Sequence, residues 1–405
     1  MLPTVWSRWI LGAFLCACAV TAQAEEAGWR FADLMEVTLR DYPEIIAKQR
    51  SVDAARSEVE GAEWQRYPAP GVQAAMNSNG GRTDPVFSLR QPLWTGGRIT
   101  AGIDAARARH GAADAEVLVT RRSLLLRLTS TYSNLRRTQI QLDLHRQNVK
   151  RHEGLLEMIG RRVKNQVSPE VDLNLANNRL LQAKNELSQI VQNFSNGTMQ
   201  MSELVGRKVN KLDLADLPDL SELPKTLEEA TAQTMATAPG LVKQDFELQA
   251  AQADVDSAEA AYWPKVVLHL EEQFGSKSEH KASISLESQL GAGLSSVTNI
   301  DAVQSRRQGM IEDRRKTVLQ ITTSVAEVWN AYNGARYRLE NNRTNYKSSE
   351  AIFESYTRLY VAGQKSWLDV MNSAKDTFNS SLAVEDTEAD RLSSALSLLV
   401  HTGRL

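Results

Sequence analysis

Few residues of this chain are placed to do covalent chemistry. Its 405 residues include two cysteines, Cys16 and Cys18, both in the first apolar stretch. Thiol catalysis, disulfides and thiolate metal sites are therefore absent from everything that follows. Of the six histidines, His145 and His152 stand seven apart, a spacing that puts both imidazoles on one helical face. No carboxylate completes a metal set beside them, so the plain reading is two solvated helix positions. No H-E-x-x-H, G-x-S-x-G or G-x-x-x-x-G-K-[ST] occurs. The expectation is no enzyme, no metal and no cofactor, and the energy for any work on a cargo must enter through a partner. Two carboxylates stand out by position alone. Asp172 and Asp369 each follow a long periodic helix at the same offset.

Those helices organise the chain. Leu128, Leu135, Leu142, Val149, Leu156 and Val163 recur every seven residues, and no proline falls between Pro92 and Pro169. About 65 residues of helix reach roughly 95 Å, some three times the hydrocarbon thickness of a bilayer. A second series, Ile311, Val318, Val325, Tyr332, Leu339, Tyr346, Phe353 and Tyr360, keeps the same phase. Upstream, Phe31, Pro43 and Pro68 match Leu227, Pro239 and Pro264, so the chain reads as a head-to-tail duplication of two large halves. Returning helices keep the period through Leu173, Leu180, Leu187, Phe194 and Met201, and through Met371, Phe378, Leu392 and Leu399.

A hairpin precedes each rod. Val72 and Ala74 alternate with Gln73, and Phe87 and Leu89 with Ser88 and Arg90. The second half repeats this more clearly: Val266, Leu268 and Leu270 alternate with Val267, His269 and Glu271, and Ala282, Ile284 and Leu286 with Ser283, Ser285 and Glu287. About nine residues per strand suits a tilted membrane strand with an apolar outside and a polar inside. Four strands cannot close a barrel, and an open edge cannot face lipid. A membrane reading therefore needs several copies of the chain.

The first stretch reads as an export signal over residues 1–24, with Arg8, an apolar run from Trp9 to Val20 and an A-x-A site at Ala22-Gln23-Ala24. A second cleavage reading at Leu15-Cys16-Ala17-Cys18 leaves Cys18 lipidated. The expected organisation is a first repeat over 25–205 (hairpin about 72–93, long helix about 98–163, return helix about 169–203), an equatorial connection over 206–225, and a second repeat over 226–405 (hairpin about 265–290, long helix about 297–361, return helix about 366–400). Charged residues make up 24% with a net charge of -2, which gives no footprint for nucleic acid.

Over residues 27–403 the sequence resembles the TolC family of outer-membrane channel proteins. The resemblance rests on the duplication, the hairpin before each rod, the junction Gln91-Pro92-Leu93-Trp94-Thr95-Gly96-Gly97-Arg98, and the tip Val361-Ala362-Gly363-Gln364-Lys365-Ser366-Trp367-Leu368-Asp369-Val370. It implies a mostly α fold with a small β part: a homotrimeric α-helical barrel of long antiparallel coiled-coil helices, continuous with a 12-stranded outer-membrane β-barrel to which each chain gives four strands. It also implies a periplasmic gate, with Asp172, Tyr360 and Lys365 at the gate positions and Asp369 at an acidic ring. Adaptor-contacting tips would be Asn165, Gln166, Val167 and Ser168 on one side, and Ala362, Gly363, Gln364 and Ser366 on the other. The sequence departs from the family pattern at three places. Lys365 stands where an arginine is expected, Asn372 where a second ring aspartate is, and Gln166 where a glycine is usual.

The function so implied is a trimeric exit channel in the bacterial outer membrane, its tunnel in the periplasm. The partners implied are outer-membrane lipid, a periplasmic adaptor (membrane fusion) protein and an inner-membrane transporter of ABC or proton-driven type. Cleavage after Ala24 and the Trp94 to Arg98 junction lean towards type I protein secretion, with drug or metal efflux as the other branch. The rival from another class is a soluble periplasmic coiled-coil scaffold or adaptor, which leaves the alternating strands without a purpose.

Overall fold

The computed structural model describes residues 28–74, 85–216, 218–274, 279–288 and 295–405. The expected export signal and the two hairpin turns lie outside them. In chain order the elements are α1 (Phe31–Asp41), α2 (Pro43–Trp64), β1 (Ala69–Ala74), β2 (Pro85–Trp94), α3 (Arg98–Lys164), α4 (Glu170–Val205), α5 (Leu227–Thr237), α6 (Pro239–Ala260), β3 (Lys265–Gln273), β4 (Glu279–Glu287), α7 (Ser295–Val361) and α8 (Trp367–Thr402). The halves match in helix length: α3 and α7 both have 67 residues, α4 and α8 both 36. Pro43 and Pro239 each open a helix, where a missing N–H costs nothing.

The strands form one antiparallel sheet in the order β1-β2-β3-β4, so the hairpins of the two halves join through β2 and β3. Pairing begins at Ala69 opposite Arg90, three residues ahead of the alternation visible in the sequence. Pro70 stands near the start of β1, the second residue of the strand. The register carries each face across all four strands. Pro70, Leu89, Leu270 and Ala282 lie in one row, and Leu268 and Ile284 share the next with Gln91. Trp94, Val266 and Leu286 end that face. The other face carries Ser88, Glu271 and Lys281, then Arg90, His269 and Ser283. There Glu287 takes Lys265 at 2.8 Å and the Ser285 hydroxyl at 3.0 Å, and the His269 ring meets Ser285 at 2.9 Å.

The chain divides into two compact units. One comprises α1, α3 from Arg122, α4, the 206–225 connection, α7 from Ser324 and α8. Its core includes Leu128, Tyr132 and Leu135, all fully buried, with the Phe31 ring edge-on to Tyr132 at 4.9 Å. Gln139 holds the connection by pairing with both backbone groups of Leu212, at 3.0 and 2.9 Å, and Leu212 bridges to Trp29. One expectation fails here. His145 and His152 are 9% and 6% exposed, not solvated, because α3 buries a second face, on which the His145 ring meets Phe378 of α8 at 4.9 Å. Burial lowers the pKa of both rings.

The other unit, Pro43–Arg121 with Thr234–Thr323, contains the sheet. Its helices are tied by Glu116 of α3, which takes Lys48 of α2 at 3.0 Å and Lys243 of α6 at 2.8 Å. Burial pushes the Glu116 carboxyl up, but the hydrogen bonds from Lys243 and Lys48 outweigh it and leave the pKa below the ordinary 4.5. Both lysines are about one-third exposed, which limits the worth of the triad to about 1 kcal/mol. Glu116→Ala is expected to cost that much in thermal or denaturant unfolding at pH 7. A lowered carboxyl stabilises above its unfolded pKa and loses the effect as pH falls, so the difference between wild type and variant should shrink below pH 4.5.

Candidate functional site at the helix tips

Each long helix ends in the same turn. After α3, the Gln166 and Val167 N–H groups donate to the Val163 and Arg162 carbonyls; after α7, Gly363 and Gln364 donate to Tyr360 and Leu359. Such a turn needs one left-handed residue, and these are Gln166 at φ 59° and Gly363 at φ 75°. Gly363 adopts that conformation without strain, whereas Gln166 is the one non-glycine residue at positive φ among the described residues. The departure noted at Gln166 thus leaves the turn intact and strains it.

Beneath the turns, α3, α4, α7 and α8 share one apolar cluster that includes Ile159, Ala176, Tyr360, Trp367, Val370 and Met371. Tyr360 is 6% exposed and Trp367 2%, with ring centroids 5.0 Å apart. The Tyr360 hydroxyl emerges from this cluster and lies 3.0 Å from the Ser168 hydroxyl, joining the two tips. Arg162 donates to the same Ser168 oxygen at 3.2 Å and lies over the Tyr360 ring at 4.8 Å. Tyr360, Ser168 and Arg162 therefore form one polar clasp over an apolar base.

The other expected site residues fall elsewhere. Lys365 lies over the Tyr356 ring at 4.4 Å. Asp369 closes a capping box at the start of α8: its carboxylate accepts from the Ser366 N–H at 3.2 Å and hydroxyl at 2.9 Å, while its own N–H donates to Ser366 at 3.1 Å. Those bonds to Ser366, with a smaller effect of the Lys365 charge, hold the Asp369 pKa below its ordinary value. Asp172 behaves in the opposite way. Its side chain has no hydrogen bond or ion pair among the described residues, and burial raises its pKa. Asn165, Val167, Ala362 and Gln364 lie exposed on the two turns. Arg162, Tyr356 and Trp367 were not singled out from the sequence. A basic residue in the last turn of a long helix was the available signal for Arg162.

The model of the outer membrane efflux protein family matches residues 34–207 and again residues 230–404, once for each half of the duplication. The chain belongs to the outer membrane efflux protein family. Its location is the outer membrane. The pyoverdine export outer membrane protein OpmQ of Pseudomonas aeruginosa is 20% identical over 290 residues, which cover 69% of this chain and 61% of OpmQ. The outer membrane efflux protein BepC of Brucella suis is 24% identical over 212 residues, covering 50% of this chain and 46% of BepC. The matched segments thus span about half to three-fifths of these curated relatives. Among solved structures, the outer-membrane channel OprN superposes with a TM-score of 0.83 at 17% identity, covering 92% of this chain and 89% of OprN. CusC gives 0.81 at 16%, covering 93% and 94%. The chain shares the fold of these channel proteins, long helices joined to a four-stranded antiparallel sheet.

Two substitutions probe the tips. Ser366→Ala removes the capping box and should cost about 1 kcal/mol, read as faster amide exchange over the first turn of α8. Gln166→Gly should raise stability by roughly 0.5 kcal/mol in denaturant melts, since about 1 kcal/mol of left-handed strain is relieved and part of it is returned as glycine's chain entropy.

Proposed function

We propose that three copies of this chain assemble into an exit channel that a periplasmic adaptor and an inner-membrane transporter, of ABC or proton-driven type, complete into a tripartite export system. The observation that carries this is the sheet. One mostly apolar face runs through four strands while β1 and β4 remain unpaired edges among the described residues. Lipid cannot satisfy those edge N–H and C=O groups, so the strands must continue into other copies. Three chains of four strands give twelve, above the smallest closed barrels of about eight. A soluble scaffold offers no use for such a face.

For cargo we favour small-molecule efflux. The names of OpmQ and BepC support it, one specifying pyoverdine export and the other efflux. Type I protein secretion remains the second reading, motivated by the Ala24 cleavage site and the Trp94 to Arg98 junction. At the tips, Tyr360, Asp172 and Lys365 act as the gate, Asp369 as the acidic ring, and the two exposed turns as the adaptor contact. The contact between Ser168 and Tyr360 supports a closed clasp, and the unpaired Asp172 is free to meet a neighbouring copy.

Single-channel conductance in planar bilayers tests the reading, for wild type and for Asp172→Ala combined with Tyr360→Phe. A small, flickering wild-type conductance that rises several-fold in the double variant is the expected result. Stable insertion with unchanged conductance would remove the gate assignment and keep the channel. A folded protein that never inserts would return the weight to the periplasmic scaffold.

A further inference from the structure

The strand-to-helix junctions of the sheet-bearing unit gather aromatic side chains that the fold leaves uncovered. Trp64, the last residue of α2, and Tyr67 just past it have ring centroids 5.3 Å apart, and Trp94 at the end of β2 meets Trp263, just past α6, edge-on at 6.4 Å. All four are exposed. Trp94 lies opposite Val266, at the helix-proximal limit of the apolar face. Rings that are apolar on one side and polar on the other belong at the headgroup level of a membrane.

Beside Trp94 opens a groove of about 440 Å³, lined by Arg66, Pro92, Leu93, Trp94, Thr95 and Thr100 among others. It contains one charge and no carboxylate. Arg66 is exposed and makes no ion pair among the described residues; of the two carboxylates lining the adjoining pocket with it, Glu63 is engaged by Arg107 at 2.6 Å and Glu60 lies 4.0 Å from Arg56. Its backbone is held in place: the Gln91 amide donates to the Arg66 carbonyl at 2.9 Å and to the Pro92 carbonyl at 2.8 Å. Leu93, at the irregularity in the β2 and β3 pairing, is exposed beside it. A guanidinium without an ion pair among the described residues therefore lines the same groove as Pro92, Leu93 and Trp94 at the boundary between strand and helix.

We propose that this groove binds the headgroup of a phospholipid from the periplasmic leaflet of the outer membrane. The phosphate lies on the Arg66 guanidinium, whose forked donors match two phosphate oxygens, with the Thr95 and Thr100 hydroxyls as further donors. The glycerol and first acyl carbons lie on Leu93 and Trp94. Such a site fixes the depth and rotation of the barrel wall in the leaflet, beyond what a belt of aromatic rings provides. The inference rests on the outer-membrane placement of the sheet.

Native mass spectrometry of the detergent-purified full-length protein tests it, with phosphatidylethanolamine as probe, diacylglycerol as the phosphate-free control and inorganic phosphate as competitor. The wild type should retain phosphatidylethanolamine, with affinity falling about fivefold or more in Arg66→Gln and less in Arg66→Lys, and should hold diacylglycerol at least about fivefold more weakly. Unchanged retention in Arg66→Gln would overturn the site, as would equal binding of diacylglycerol. Inorganic phosphate binding as tightly as the lipid would overturn the lipid assignment in favour of a free-phosphate site. Bilayer insertion of the same preparations separates the two failures: an inserting protein with unchanged lipid retention loses the groove alone, whereas one that neither inserts nor retains lipid loses the membrane placement as well.

Discussion

A backbone N–H or C=O facing hydrocarbon has no water to bond, and each one left unpaired costs several kcal/mol. Every strand of the sheet is subject to that constraint. Among the described residues β2 and β3 are paired on both sides, while β1 and β4 are paired on one. The duplication explains the shape of this unit. Each half contributes one hairpin, and the two hairpins meet through β2 and β3, so a single chain presents one contiguous four-stranded segment with its faces already sorted. The polar face is not inert: Lys265, Glu287, Ser285 and His269 satisfy one another across β3 and β4, which keeps ionisable groups together on the side away from the apolar rows.

The tips follow a different logic. Four helices bury Tyr360 and Trp367 in one cluster, and the Tyr360 hydroxyl leaves that cluster only to reach Ser168. An apolar base surrounds the tyrosine ring while the Ser168 hydroxyl and the Arg162 guanidinium meet Tyr360 from the other tip. Contacts of this kind contribute about 1 kcal/mol each, small enough to be exchanged when a partner binds. The gate positions Asp172 and Lys365 and the acidic-ring position Asp369 have separate roles within one chain. Asp369 is committed to Ser366 and Lys365 to the Tyr356 ring, while the Asp172 side chain has no hydrogen bond or ion pair among the described residues.

Much of this was legible in the residues. The seven-residue period of Leu128 to Val163 and of Ile311 to Tyr360 marks the two long helices because an amphipathic helix repeats its buried face at that spacing. Alternation in Val266 to Leu270 and Ala282 to Leu286 marks strands with one apolar face for the same kind of reason. The start of the first strand was not: it begins at Ala69, ahead of the alternation from Val72, and Ala69, Pro70 and Gly71 carry no polar and apolar alternation to mark it. His145 and His152 misled the reading: polar residues on a helix read as solvated unless a second helix covers that face, and α8 does.

By itself, the sequence determined periodicity, duplication, the sites of the turns and the absence of catalytic motifs, because each is written in residue type and spacing along one segment. Tertiary structure alone decided the β2 and β3 pairing, the burial of the two histidines, the partners of Glu116 and the choice of Ser168 for the Tyr360 hydroxyl. These are meetings of side chains and strands far apart in the chain, and local spacing carries no term for them. They are set by which faces remain to be covered once every helix and strand has formed.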